Sequence, residues 1–266
     1  MAEKILNLCD IGSRICRHGG LEKLLEDMPQ VSRIYVGSYF CDRYFTMTVR
    51  YVTDCCLPYC LEKNRKITCV VPIPSQENLG SVKESVLELL SSWGGLVDTI
   101  CVNDPGMLLW ARENTGLKLT LGRLFSKELR DPRYGEALTP GTYRVSRGRE
   151  ELMEKFGISA MEVEGIYSTL KGCGIYGDYK VYAHRGYCYM SCGRYCLFAS
   201  VRRELPGKFR TGAPCSLECG EFMMKHLLQN KKEVFRVGKG IYYRAGTEKK
   251  LSEDFEGEIL FPLERW

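Results

Sequence analysis

A chain of 266 residues, 44% hydrophobic and 27% charged, has the composition of a globular protein. It can bury a core without disulfide staples, and wholesale disorder is excluded. The formal net charge of +5 is too mild to identify a nucleic-acid binder.

In chain order, the first twenty residues show no secretory pattern, and no later run approaches the roughly 18 apolar residues of a membrane span. No membrane span and a cytoplasmic location are therefore expected, and reduced thiols there favour metal ligation over disulfides. Residues 20–28 predict a short amphipathic helix with Leu21, Leu24, Leu25 and Met28 on one face. Pro29 stops it, and Val31–Gly37 reads as a strand. Cys41 follows just past the carboxyl end of that strand, where α/β folds gather functional loops. Cys55, Cys56 and Cys60 lie close together with no histidine near, and are expected to be structural rather than a second metal site. Strands are predicted over 66–74 and 97–103, placing Cys69 and Cys101 in the core, with a helix over 81–93 between them. Asp104-Pro105 opens a helix as N-cap and first-turn proline. A strand over 116–122 precedes a long polar loop from Arg123 to Tyr143, and Ser146 is a candidate cap for a helix to Phe156. Strands over 158–164 and 178–184 complete six, alternating with helices as parallel β/α units do.

The fold class expected is therefore α/β: a (β/α) barrel, complete or with missing or distorted units, carrying a cysteine-rich metal-binding region toward the carboxyl end. A barrel-like region over 1–186 leads into a cysteine-rich segment over 187–220. An extension over 221–266 is read as part of the same domain: a helix over 221–229, a hairpin over 233–244 and a closing strand near 257–262.

Residues 187–219 hold five of the 14 cysteines: Cys188, Cys192, Cys196, Cys215 and Cys219. Cys192/Cys196 and Cys215/Cys219 each enclose three residues, so two short turns can bring four sulfurs to one point, as a thiolate metal site requires. The competing reading is a loop of small buried residues, because a free cysteine packs as a small hydrophobe. Cys188, Cys192 and Cys196 miss the three-and-two spacing of radical-SAM enzymes. Of the three histidines only His184, ending a strand beside the cysteines, has a functional placement, and a structural imidazole fits it equally. Gly238-Lys-Gly240 lies in the apparent hairpin and has no phosphate-loop context.

His184-Arg-Gly-Tyr-Cys188, Ser191-Cys-Gly-Arg-Tyr-Cys196 and Gly212-Ala-Pro-Cys215-Ser-Leu-Glu-Cys219 together resemble the signature of the collagenase-like peptidase superfamily. Its members carry a His-Gly-x-x-Cys, a Ser-Gly-Arg-Cys and a Gly-x-Cys-x-x-x-Cys element in that order. Val36-Gly-Ser-Tyr-Phe-Cys41-Asp-Arg43 is similar to the strand-end element of the UbiV branch, which serves oxygen-independent ubiquinone biosynthesis. The resemblance spans roughly residues 31–220. It implies a [4Fe–4S] cluster on Cys41, Cys196, Cys215 and Cys219, with Cys188 and Cys192 as further candidates. It also implies a hydroxylase subunit acting with a second cluster-bearing relative; despite the superfamily's name no active peptidase is expected, since no nucleophile–base pair or catalytic metal triad can be assigned. Two other functions stay open. A zinc ribbon on Cys192, Cys196, Cys215 and Cys219 would be a binding module. An RNA-modification factor would meet phosphate through Arg202, Arg203, Lys208 and Arg210.

Overall fold

Continuous apolar runs become strands covered on both faces. In β3 (Lys66–Val71) Ile67, Cys69 and Val70 are fully buried, as are Val97, Ile100, Cys101 and Val102 in β4 (Val97–Val102). The computed structural model of the chain describes residues 2–126, 147–158, 160–165, 179–210, 214–244 and 255–263. The expected cap at Ser146 and most of the loop read over 123–143 lie outside the described residues.

Five further strands belong with these two: β1 (Glu3–Asn7), β2 (Val31–Gly37), β5 (Lys118–Leu121), β6 (Ala160–Glu164) and β7 (Lys180–Arg185). A separate antiparallel sheet runs in the order β8 (Tyr187–Cys192), β11 (Gly240–Arg244), β10 (Glu233–Val237), β9 (Met224–Leu227). The chain then returns as β12 (Gly257–Leu260), which pairs in parallel with both β7 and β1. Among the described residues eight parallel strands thus close into a barrel, with Ile5 opposite Ile259 at the seam. The predicted (β/α) barrel is present and closed.

Helices α1 (Gly12–Arg17), α2 (Gly20–Glu26), α3 (Asp42–Lys63), α4 (Leu79–Trp93), α5 (Pro105–Asn114) and α6 (Arg147–Phe156) fill the connections from β1 to β6. Asp104 caps α5 as expected, accepting the Met107 N–H at 2.9 Å. No described helix is long and apolar enough to cross a membrane.

Two local readings are corrected. The helix expected over 221–229 is replaced by β9, whose backbone pairs with β10 from Glu233↔Leu227 to Arg236↔Met224. Its apolar residues give a helical pattern, but ladder hydrogen bonds to an existing strand override so weak a preference. The 22-residue α3 was not predicted, because Pro58 and the β-branched Thr46, Thr48, Val49, Val52 and Thr53 all argue against helix locally. Its length packs Cys56 and Cys60 into the core, so these two are structural.

Candidate metal centre

Gly37 ends β2 at φ +114°, where a Cβ would meet the Val70 carbonyl oxygen at 2.3 Å. Glycine lets the chain turn there without leaving the sheet. Ser38 Oγ then accepts the N–H groups of Phe40 (3.2 Å) and Cys41 (2.8 Å) and donates to Asp10 Oδ1. This folded turn places Cys41 at the N-cap of α3, with its sulfur accepting the Tyr44 N–H at 3.4 Å. A helix N-terminus favours negative charge on such a sulfur. Burial opposes it and pushes the Cys41 thiol up to about 12, against the lowering effects of Lys239 and the Tyr44 N–H.

The other sulfurs come from the segment after β8. Gly193 donates its N–H to the Lys239 carbonyl at 3.0 Å, fixing the start of the turn that leads to Cys196. The Cys215 sulfur accepts the Leu217 N–H at 3.3 Å, and Glu218 Oε2 accepts the Ser216 N–H at 3.1 Å. Leu217 takes the left-handed conformation, φ 62°, and the single turn Glu218–Gly220 that follows presents Cys219.

Cys41, Cys196, Cys215 and Cys219 line one cavity, part of it open to solvent. Asp10, Arg43, Arg194, Arg210 and Lys239 line it too. Burial holds the Cys219 thiol well above its ordinary range, and charge on Cys41, Cys196 and Cys215 adds to this. Burial likewise raises Cys215, with Glu218 and Cys196 contributing. Mutual repulsion of this kind is what a bound metal centre removes, since ligation needs the thiolates. Among the described residues no three His, Cys, Asp or Glu side chains converge closely enough to hold a single ion. Four thiols on one cavity wall are a donor set that a [4Fe–4S] cluster or a zinc ion takes.

The second-rank cysteines stand elsewhere. Cys188 is buried against Val234 and Tyr243 in the small sheet, and Cys192 is exposed at the end of β8; neither lines the cavity. Cys69 and Cys101 are fully buried in the barrel, as expected.

His184 is buried near the carboxyl end of β7, with its ring edge-on to Tyr39. Its Nε2 is 3.0 Å from Glu162 Oε2, and Nδ1 has no hydrogen-bond partner among the described residues. Glu162 Oε1 also accepts from Cys101 Sγ at 3.1 Å and from the Tyr39 hydroxyl at 3.3 Å. Arg123, fully buried, donates to both oxygens of Glu164 at 2.8 and 2.7 Å, with its guanidinium 5.4 to 5.8 Å from the ring centres of Tyr39, Tyr189 and Tyr242. Charges this deep persist only when paired. Sequence reading missed this network, although Glu162 and Glu164 alternating with Met161 and Val163 in a buried strand was a usable signal. Asp10 and Lys239, single polar residues in loops, offered none.

No known protein family matches the chain, and no curated protein matches it. A solved structure described as the U32 peptidase Mk0906 is similar, with 12% identity, a TM-score of 0.42, and coverage of 70% of this chain and 69% of that one. At that identity and TM-score the likeness carries neither family nor activity to this chain.

Proposed function

We propose that this protein holds a [4Fe–4S] cluster on Cys41, Cys196, Cys215 and Cys219 and serves as a subunit of an oxygen-independent hydroxylase of the UbiV kind, within the collagenase-like peptidase superfamily. The supporting observation is that four cysteines from three separate stretches of chain line one cavity. When bound, such a cluster supplies one-electron transfer. The chain's own part is to hold the sulfurs apart at the cavity wall, to set negative charge against the α3 N-terminus, and to keep Lys239 beside them. Anaerobically prepared protein should contain about four irons and four sulfides per chain. Serine at Cys215 or Cys219 should abolish them, while serine at Cys69 or Cys101 should only lower stability, by about 1–3 kcal/mol where the hydroxyl finds no partner. Stoichiometric zinc without iron after anaerobic reconstitution would sink the reading.

A second cluster-bearing subunit completes the proposal. Tyr195, Val201, Leu205 and Phe209 are exposed on the segment that carries Cys196, and Leu205 is 82% exposed. An apolar group of this kind beside a redox centre suits a protein partner. The phosphate-binding alternative is weaker, because Arg202 is paired with Glu221 at 2.7 Å and Arg203 with the Ala199 carbonyl at 2.8 Å. Activity should therefore require recombination of the separated subunits; full activity from this chain alone would refute the partnership.

A further inference from the structure

The Gly238-Lys-Gly240 turn, without meaning as a phosphate loop, occupies a particular place in the fold. It is the tip of the β10–β11 hairpin, seated against the barrel at Phe40: a Cβ on Gly240 would come within 2.7 Å of that ring. The turn carries Lys239 into the thiol cavity, with its side chain only 18% exposed. Lys239 Nζ is 3.3 Å from Asp42 Oδ1. Asp42 is itself fixed, because its other oxygen accepts from the Ser75 N–H (2.9 Å), the Ser75 hydroxyl (2.7 Å) and Asn78 Nδ2 (3.0 Å). Three hydrogen bonds thus fix Asp42, and its contact with Lys239 holds the ammonium group at the cavity that the four cysteines line. Arg43 lines the same cavity half-buried, beside Cys41 in sequence; Arg194 and Arg210 line it from exposed positions, where water and salt screen them.

We propose that Lys239 is the fixed counter-charge of the thiol centre, a positioning residue that favours negative charge on the sulfurs and raises the reduction potential of a cluster held there. The first part stands on the geometry alone; the second rests on the cluster reading above. A buried cation stabilises the more negative, reduced state of a neighbouring centre, and the low local dielectric strengthens the effect.

Two measurements test it. In the metal-free, reduced chain, Cys196 is alkylated with anionic iodoacetate and with neutral iodoacetamide, and the two rates are compared by peptide mass spectrometry. Their ratio cancels the ionisation of the thiol and reads the local field. Lys239→Met should lower the ratio by about threefold, Lys239→Arg should keep it, and Arg194→Met should change it less. In anaerobically reconstituted protein, Lys239→Met should shift the cluster's reduction potential to a more negative value, and Lys239→Arg should leave it near that of the parent. Lys239→Gln serves in both arms if the Met variant does not fold. An unchanged alkylation ratio in a folded Met or Gln variant overturns the proposal, as does an equal effect from Arg194→Met. Failure of the parent chain to take up iron defeats the cluster reading instead, and the alkylation ratio still decides the role of Lys239.

Discussion

His184 sits at 1% exposure with one ring nitrogen on a carboxylate and the other without a hydrogen-bond partner among the described residues. Burial and the neighbouring Arg123 push its basicity down, and the Glu162 contact only partly offsets them. The folded chain therefore holds the imidazole neutral, whereas the unfolded chain protonates it near its ordinary pKa of about 6.5. Where the unfolded state binds more protons, stability rises with pH. This contribution is fully present above about pH 6.5 and is lost as pH falls below that value toward the lowered folded pKa. Replacing His184 with Gln should flatten the fall in stability between neutral and mildly acid pH, as read by urea midpoints across that range. An equally steep fall in the variant would show that other groups cause it. The same residue shows what was legible at this scale. Its strand-end placement could be read from the sequence; its engagement with Glu162 could not, because that depends on a strand 22 residues away. Spacing pointed to Cys192, Cys196, Cys215 and Cys219, of which Cys192 does not line the cavity; strand-end placement marked Cys41, and the set of four that line it was what the family resemblance implied.

Among elements, the β10–β11 hairpin does the most with the fewest residues. Gly240 pairs with Cys192 across β8 and β11, and its missing side chain leaves room for Phe40, which stacks on Tyr189 at 4.8 Å. Adding a methyl group puts carbon within 2.9 Å of both Phe40 and Tyr242, so the two rings or the turn must shift. Overpacking of this sort costs about 1–3 kcal/mol. Gly240→Ala should lower the denaturation midpoint accordingly and also reduce iron retention after reconstitution, because Lys239 moves with the turn. A variant with parent-like stability and iron content would show that the seat tolerates the methyl group. The hairpin itself was legible from alternating apolar residues on either side of a glycine turn, but its seat on the barrel was not. Neither was α3, where a proline and five β-branched residues concealed a helix held in place by the barrel beneath it. Local preference is a weak guide wherever tertiary packing supplies most of the stability.

For the molecule as a whole, the alternation of strands and helices was enough to give a parallel barrel, because few other folds bury so many continuous apolar strands. The closure was harder to see. β1 is five residues long, and its partner β12 comes from the far side of an inserted sheet. Lys4 and Glu258, which form an ion pair across the seam, are 254 residues apart in sequence. That seam sets an order of events during synthesis. The ribosome releases Cys41, then Cys196, Cys215 and Cys219, before it releases Lys239, and β12 comes later still. A nascent chain thus carries the whole set of sulfurs while its first strand has an open edge and the counter-charge does not yet exist. Under the cluster proposal, iron delivered at that stage would meet thiols without their lysine, so loading in the finished geometry belongs after β12 has left the ribosome.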